Sequence, residues 1–174
     1  MIETDRLLLR RPRPDDVDAV FAYRSRPDVA RHLSAGTWSR EKTEQELALY
    51  AAAEFGAPGT ELVLLAEVRG TGAIIGEVGL LWLDEDRAAE IGYVLSPDAG
   101  GRGLATEAVR GLMAAAFEGW AIDRIVAQTD ANNRGSRALC ERLGMRLIST
   151  HPSGDGRGVD ECTYVVERAD AADA

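Results

Sequence analysis

The chain has 174 residues and a net charge of −9, from 29 acidic and 20 basic groups, with 45% hydrophobic residues. That length suits one domain with a good core and is too short for two ordinary ones. The acidic balance argues against a nucleic-acid backbone as partner, and no apolar run reaches the ~18 residues needed to span a bilayer.

Residues 6–11 read as a first strand. Pro14 opens a helix to about Ser25, with Val17, Val20 and Phe21 at helical spacing and Asp15 and Asp16 favourable in its first turn. A short helix is expected at 28–33. Ser39 is placed to cap a helix over 40–55, which Gly56-Ala57-Pro58-Gly59 ends. Strand-like runs at 62–69, 73–84 and 88–95, joined by short polar turns, predict an antiparallel meander. Gly76 and Gly79 inside the second run mark a bulge or a close backbone approach. The main helix covers 106–120 and carries Ala108, Val109, Leu112, Met113, Ala116 and Phe117 on one side. A strand at 125–129, a helix at 133–143 and a strand at 145–150 follow. A glycine-rich hairpin loop at 151–158 leads to a last strand at 162–167. The reading is a single α+β domain over 1–169, with residues 170–174 frayed.

The segment from Glu90 to Ala108 carries the chemistry. A β-branched and aromatic run ends at Ser96-Pro97, Gly100, Gly101 and Gly103 follow, and a helix pattern starts at Leu104. Strand, glycine turn and helix start form a cradle of unpaired N–H groups at the positive end of a helix dipole, suited to a diphosphate. The nucleotide P-loop needs a Lys after the glycines, but the only Lys is Lys42. The dinucleotide fingerprint fails too, because its third glycine position falls on Thr106.

Gly100-Gly101-Arg102-Gly103-Leu104-Ala105-Thr106 resembles the coenzyme A pyrophosphate loop of the GNAT acetyltransferase superfamily, Q/R-x-x-G-x-G/A. Asn133-Arg134-Gly135-Ser136 followed by Leu143-Gly144-Met145 resembles that superfamily's N-x-x-S … L-G-F element. Thr4-Asp5-Arg6-Leu7-Leu8-Leu9-Arg10, with Pro14-Asp15-Asp16 after it, resembles the branch of the ribosomal-protein N-terminal acetyltransferases (RimJ/RimL-like). Gly100 stands where Gln or Arg is usual, and Met145 where Phe is usual. The resemblance implies a GNAT-like fold: a mixed, mostly antiparallel sheet whose central parallel strands, 90–95 and 125–129, splay apart, flanked by helices. It implies acetyl-CoA as donor cosubstrate, an amine acceptor, direct attack in a ternary complex, and compatibility with a homodimer.

On that resemblance the coenzyme is held by Tyr93, Val94, Leu95, Gly100, Gly101, Arg102, Gly103, Leu104, Ala105, Thr106, Asn133 and Ser136. Amides near Val94 and Leu95 serve the oxyanion if that strand edge is open. Ser136 is the expected proton donor to the thiolate, and Cys140, one turn on, reads as a small packed core residue. Asn133 also reads as a helix cap. For the base, Glu90 is favoured, with Asp160, Glu161 or a water chain as rivals. His32 and His151 show no partner pattern. Residues 29–38, 70–84 and 151–158 are expected to wall the acceptor cleft. Cys140 and Cys162 have no metal-ligand or disulfide spacing, so neither a metal nor an oxidising compartment is implied, and a cytoplasmic location is expected. A non-catalytic acyl-CoA sensor is the alternative reading.

Overall fold

A computed structural model describes residues 1–83, 87–154 and 158–171 of the chain. Its strands are Ile2–Glu3 (β1), Leu7–Arg10 (β2), Glu61–Val68 (β3), Ile74–Trp82 (β4), Ala88–Leu95 (β5), Arg124–Asp130 (β6), Arg146–Pro152 (β7) and Asp160–Glu167 (β8). The helices are Val17–Arg24 (α1), Pro27–Ala30 (α2), Arg40–Ala52 (α3), Leu104–Gly119 (α4), Arg134–Arg142 (α5) and Arg168–Ala171 (α6). All strands join one sheet in the order β1-β2-β3-β4-β5-β6-β8-β7.

Every neighbouring pair is antiparallel except β5 and β6, which are parallel. Those two pair only at Ala88 with Arg124, Ala89 with Ile125 and Glu90 with Val126. Beyond that point β5 runs on to Leu95 and β6 to Asp130 without another pair. This is the splay that the sequence resemblance implies.

The two sheet faces have different covers. The amphipathic α4 buries Ala108, Val109, Leu112, Met113, Ala116 and Phe117 against Leu64, Val78, Leu80, Ile91 and Ile125. Each such Leu or Ile contributes on the order of 1.5–3 kcal/mol relative to exposure. On the other face Val20 and Tyr23 of α1 and Leu47 of α3 pack on Leu65 of β3. A buried ion pair and a hydrogen bond dock α1 there: Arg24 meets Glu77 of β4, and Tyr23 donates to Glu77 at 2.7 Å.

Several boundaries shift for local reasons. Residues Pro14–Asp16 form a 3-10 turn, so α1 starts at Val17. Asp16 there accepts from the Arg13 amide and pairs with Arg10 at 2.7 Å. The second helix is Pro27–Ala30 rather than 28–33. Ser39 does cap α3, accepting from the Lys42 amide at 3.1 Å, but the helix ends at Ala52 because Ala53 is extended. The bulge falls as expected: Ile75 is extra in β4 between Glu67↔Ile74 and Ala66↔Gly76. A Cβ on Gly76 would lie 2.4 Å from the Val94 carbonyl, so only glycine permits that approach. Residues Arg168–Ala171 are helical where fraying was expected from 170. The remaining tail, the turn at 84–86 and the loop tip at 155–157 lie outside the described residues. Among the described residues no helix is long and apolar enough to cross a membrane.

Candidate active site

The glycine turn has the geometry of an anion cradle. Gly101 and Gly103 both hold φ of 73°, a left-handed conformation that strains any side chain. Gly103 occupies the cap position of α4 and so offers the helix start no side-chain acceptor. The first bond between turn and helix is from the Glu107 amide to the Gly103 carbonyl, 3.1 Å. Among the described residues, no amide from Gly101 to Thr106 donates to a protein acceptor. Those donors sit at the positive end of a 16-residue helix.

The chain's opening segment braces this turn. Glu107 accepts from Thr4 Oγ1 at 2.6 Å, the Arg6 amide at 2.7 Å and Arg6 Nε at 2.6 Å. Arg6 Nη1 also donates to the Arg102 carbonyl at 2.8 Å. Burial disfavours the Glu107 charge, but these donors outweigh it and hold the carboxyl below its ordinary range. The one acid in the first turn of α4 is thereby occupied at a distance from the loop amides.

Beside the turn lies the gap between β5 and β6. The Leu83 amide donates to the Ala88 carbonyl and the Ser96 amide to the Ile75 carbonyl, both at 2.8 Å. By antiparallel alternation Glu90, Gly92 and Val94 turn their peptide groups to β4, whereas Tyr93 and Leu95 turn theirs to the gap. The Tyr93 side chain leans toward α5, where its hydroxyl lies 2.7 Å from Ser136 Oγ and 3.6 Å from Cys140 Sγ. Asn133 caps α5 by accepting from the Ser136 amide at 3.1 Å.

On the opposite sheet face a cavity of about 670 Å³ reaches the same gap. Its floor holds Glu90 and Gly92 of β5, Gly79 and Leu81 of β4, and Glu61 and Val63 of β3. Gly79 and Gly92 are cross-strand partners, so the floor is bare backbone there, and a Cβ on Gly92 would meet nothing within 4 Å. Glu61, Leu81 and Glu90 form a cross-strand row that puts the two acids about 10 Å apart at the backbone. Glu46 of α3 stands near Glu61, and Glu161 of β8 near Glu90. Burial first, and then these neighbouring charges, raise the Glu61 and Glu90 carboxyls above their ordinary range. Glu46, Glu61, Glu90 and Glu161 meet no ion-pair partner among the described residues, whereas Arg24 is matched by Glu77. Asp130 at the end of β6 faces His32 Nδ1 at 3.1 Å.

The model of the acetyltransferase (GNAT) domain matches residues 6–146. The chain belongs to the GNAT acetyltransferase family. It is 31% identical over 150 residues to the uncharacterised N-acetyltransferase YoaA of Bacillus subtilis (strain 168), covering 84% of this chain and 82% of that one. A GNAT-family acetyltransferase from Bacillus anthracis superposes with a TM-score of 0.87 at 24% identity, covering 97% and 98% of the two chains. RimL, the ribosomal L7/L12 alpha-N-protein acetyltransferase, in its complex with coenzyme A, superposes with a TM-score of 0.78 at 20% identity, covering 94% and 95%.

Within this GNAT fold the sequence-derived residues fall into two groups. Tyr93, Leu95, residues 100–106, Asn133 and Ser136 border the gap or the glycine turn. Val94 is the exception in detail: its amide turns into β4, and its side chain packs with Val20 and Tyr23. Thr106 Oγ1 accepts from Arg142 Nε at 3.4 Å. Glu90 and Glu161 line the cavity, but Asp160 does not. Cys140 is fully buried, as a packed residue should be, yet it also touches the Tyr93 hydroxyl. Of the expected walls, His32 to Ala35, Trp38 and Ser153-Gly154 are present, and from 70–84 only Glu77, Gly79 and Leu81. Sequence reasoning missed the α3 wall, whose Lys42, Glu46 and Tyr50 follow at four-residue spacing and so share one helix face. It also missed the His32–Asp130 pair, formed across 98 residues.

Proposed function

We propose that this protein transfers the acetyl group of acetyl-CoA to a primary amine by direct attack in a ternary complex. The observation that carries the reading is the run of unpartnered amides from Gly101 to Thr106, opening beside the unpaired edge of β5. The amides and the α4 dipole suit the pyrophosphate, and the peptide groups of Tyr93 and Leu95 suit the pantetheine arm and the carbonyl oxygen. Asn133 and Ser136, at the start of α5, complete the coenzyme side.

The amine reaches the thioester from the carboxylate-lined cavity. Glu90, directly or through a water, takes the proton that the nitrogen must lose as it attacks. The Tyr93 and Leu95 amides stabilise the negative oxygen as the N–C bond forms. Ser136 delivers a proton to sulfur as the C–S bond breaks. The chemistry needs no metal, and no cluster of metal-ligating side chains occurs among the described residues.

The cavity's charge supports a cationic acceptor. Two carboxylate pairs without counter-ions among the described residues, Glu90 with Glu161 and Glu61 with Glu46, favour an amine that carries a second positive charge. The test is thiol release from acetyl-CoA with three acceptors: an aliphatic diamine, a matching monoamine, and a peptide with a free N-terminus. The transfer reading stands if any acceptor is turned over, and the charge reading stands if the diamine is preferred to the monoamine. No turnover, together with no acetyl-CoA binding by calorimetry, sinks the assignment.

A further inference from the structure

The Tyr93 hydroxyl has a place in the chemistry that its sequence position does not announce. It comes from β5, on the edge of the gap, yet it ends at the first turn of α5. Three acceptors compete for its one proton: Ser136 Oγ at 2.7 Å, the Ser136 carbonyl at 3.3 Å and Cys140 Sγ at 3.6 Å. Oγ is nearest and at the ordinary O–H···O distance, whereas a thiol is a weak acceptor. The Ser136 carbonyl is also the natural acceptor for the Cys140 amide one helical turn on.

We propose that Tyr93 is a positioning residue: its hydroxyl donates to Ser136 Oγ and turns the serine proton toward the coenzyme sulfur. A serine in a helix otherwise tends to bond back to the preceding turn, which would point its proton away from the gap. With its lone pair engaged by Tyr93, and its backbone fixed by the Asn133 cap, Ser136 keeps its own O–H for the departing group. Cys140, fully buried beneath, is placed to donate weakly to the Tyr93 oxygen, so the three groups form a chain of donors with one direction.

The protonation states agree with that direction. Burial, followed by the adjacent Cys140, pushes the Tyr93 phenol above its ordinary range, so it stays a donor across the working pH. Burial likewise raises the Cys140 thiol. The charged or titratable groups bearing on the pair are Cys140, Glu141 and Arg142 of α5 and Cys162 of β8. Arg142 acts against the rise at Tyr93 without reversing it.

The inference rests on the acetyl-CoA reading, and the proton count closes within it. When the C–S bond breaks, its electron pair stays on sulfur and the Ser136 proton moves to that sulfur. Ser136 recovers a proton from water, which balances the one the amine nitrogen gave up. Tyr93 keeps its proton throughout and lowers the energy of the transfer by holding Oγ in place.

The test needs no acceptor. The ionisation of bound CoA thiol is followed by thiolate absorbance against pH, with the complex of desulfo-CoA as blank. In the unaltered protein the bound thiol should ionise at lower pH than free CoA, because a donor faces the sulfur. Tyr93→Phe keeps the ring but should move that ionisation up by about half a pH unit. Ser136→Ala should move it at least as far, and the double variant no further than Ser136→Ala alone. An unshifted Tyr93→Phe complex, or shifts that add in the double variant, overturns the positioning role while leaving the transferase reading intact. Failure of the unaltered protein to bind CoA overturns both.

Discussion

Arg6 Nε and Glu107 Oε2, 101 residues apart in the chain, meet at 2.6 Å and tie the start of β2 to the first turn of α4. The same guanidinium holds the Arg102 carbonyl, so one side chain fixes both sides of the glycine turn. Arg6→Ala should therefore loosen the turn without emptying the core. The KM for acetyl-CoA should rise by about five- to tenfold, as expected for losing two exposed charge-assisted bonds, with kcat changed less. Steady-state kinetics at fixed acceptor would show it, and an unchanged KM would remove the bracing role.

Gly103→Val attacks the same turn from the backbone. A β-branched residue at φ of 73° is strained by about 1–3 kcal/mol, so the turn should rearrange. Calorimetry should then show acetyl-CoA affinity falling by an order of magnitude or more. Affinity equal to the unaltered protein's would mean these amides do not hold the coenzyme.

Gly92→Leu separates the two substrates. Its backbone needs no glycine, and its side chain would enter open space above the Gly79–Gly92 floor. Acetyl-CoA binding and melting temperature should hold while transfer to any acceptor is lost. Retained turnover would place the acceptor elsewhere.

Glu90→Gln should lower kcat by about 10²- to 10⁴-fold, the usual worth of a general base. Because burial and Glu161 raise the Glu90 carboxyl, the acidic limb of the kcat/KM profile should lie above the ordinary carboxylate range. Glu161→Gln removes one of those causes, so that limb should move to lower pH. A limb unmoved by Glu161→Gln and present in Glu90→Gln would assign the proton to another group.

Stability should respond to pH in two opposed ways. Glu107 and Asp16 are held below their unfolded values, so they stabilise the fold above the ordinary carboxylate range, and that contribution is lost on acidification through their folded values. Glu61 and Glu90 are raised, so the folded chain binds their protons more tightly. Their cost to stability appears as pH rises from the ordinary carboxylate range through the folded values. Glu61→Gln should thus raise the melting temperature at neutral pH and have less effect in mild acid. Thermal denaturation across that window decides it.

The sequence made the coenzyme side far more legible than the acceptor side. The glycine turn, the α4 stripe and the Asn133–Ser136 start each depend on neighbours within a few residues, where turn and helix geometry leave few options. The Tyr93–Ser136 contact, the His32–Asp130 pair and the Arg6–Glu107 bond depend on sheet topology, which no local window contains. The α3 wall was hidden for a different reason. Only Thr43 and Leu47 of that helix are buried, and Lys42 and Glu46 line a cavity, so its pattern lacks an apolar stripe. Of the two amides expected to face the gap, that of Leu95 does and that of Val94 turns to β4, since the parity of β5 is set by β4 and not by its own residues.

Glu90 and Tyr93 project to opposite sides of one strand, three residues apart, with the open edge between them. On the proposed reading, Glu90 as base and Ser136 as acid, the latter held by Tyr93, therefore work from opposite faces of the sheet. On that same reading, side chains around Glu46 and Glu61 can change to suit a different amine without disturbing the groups that face the sulfur.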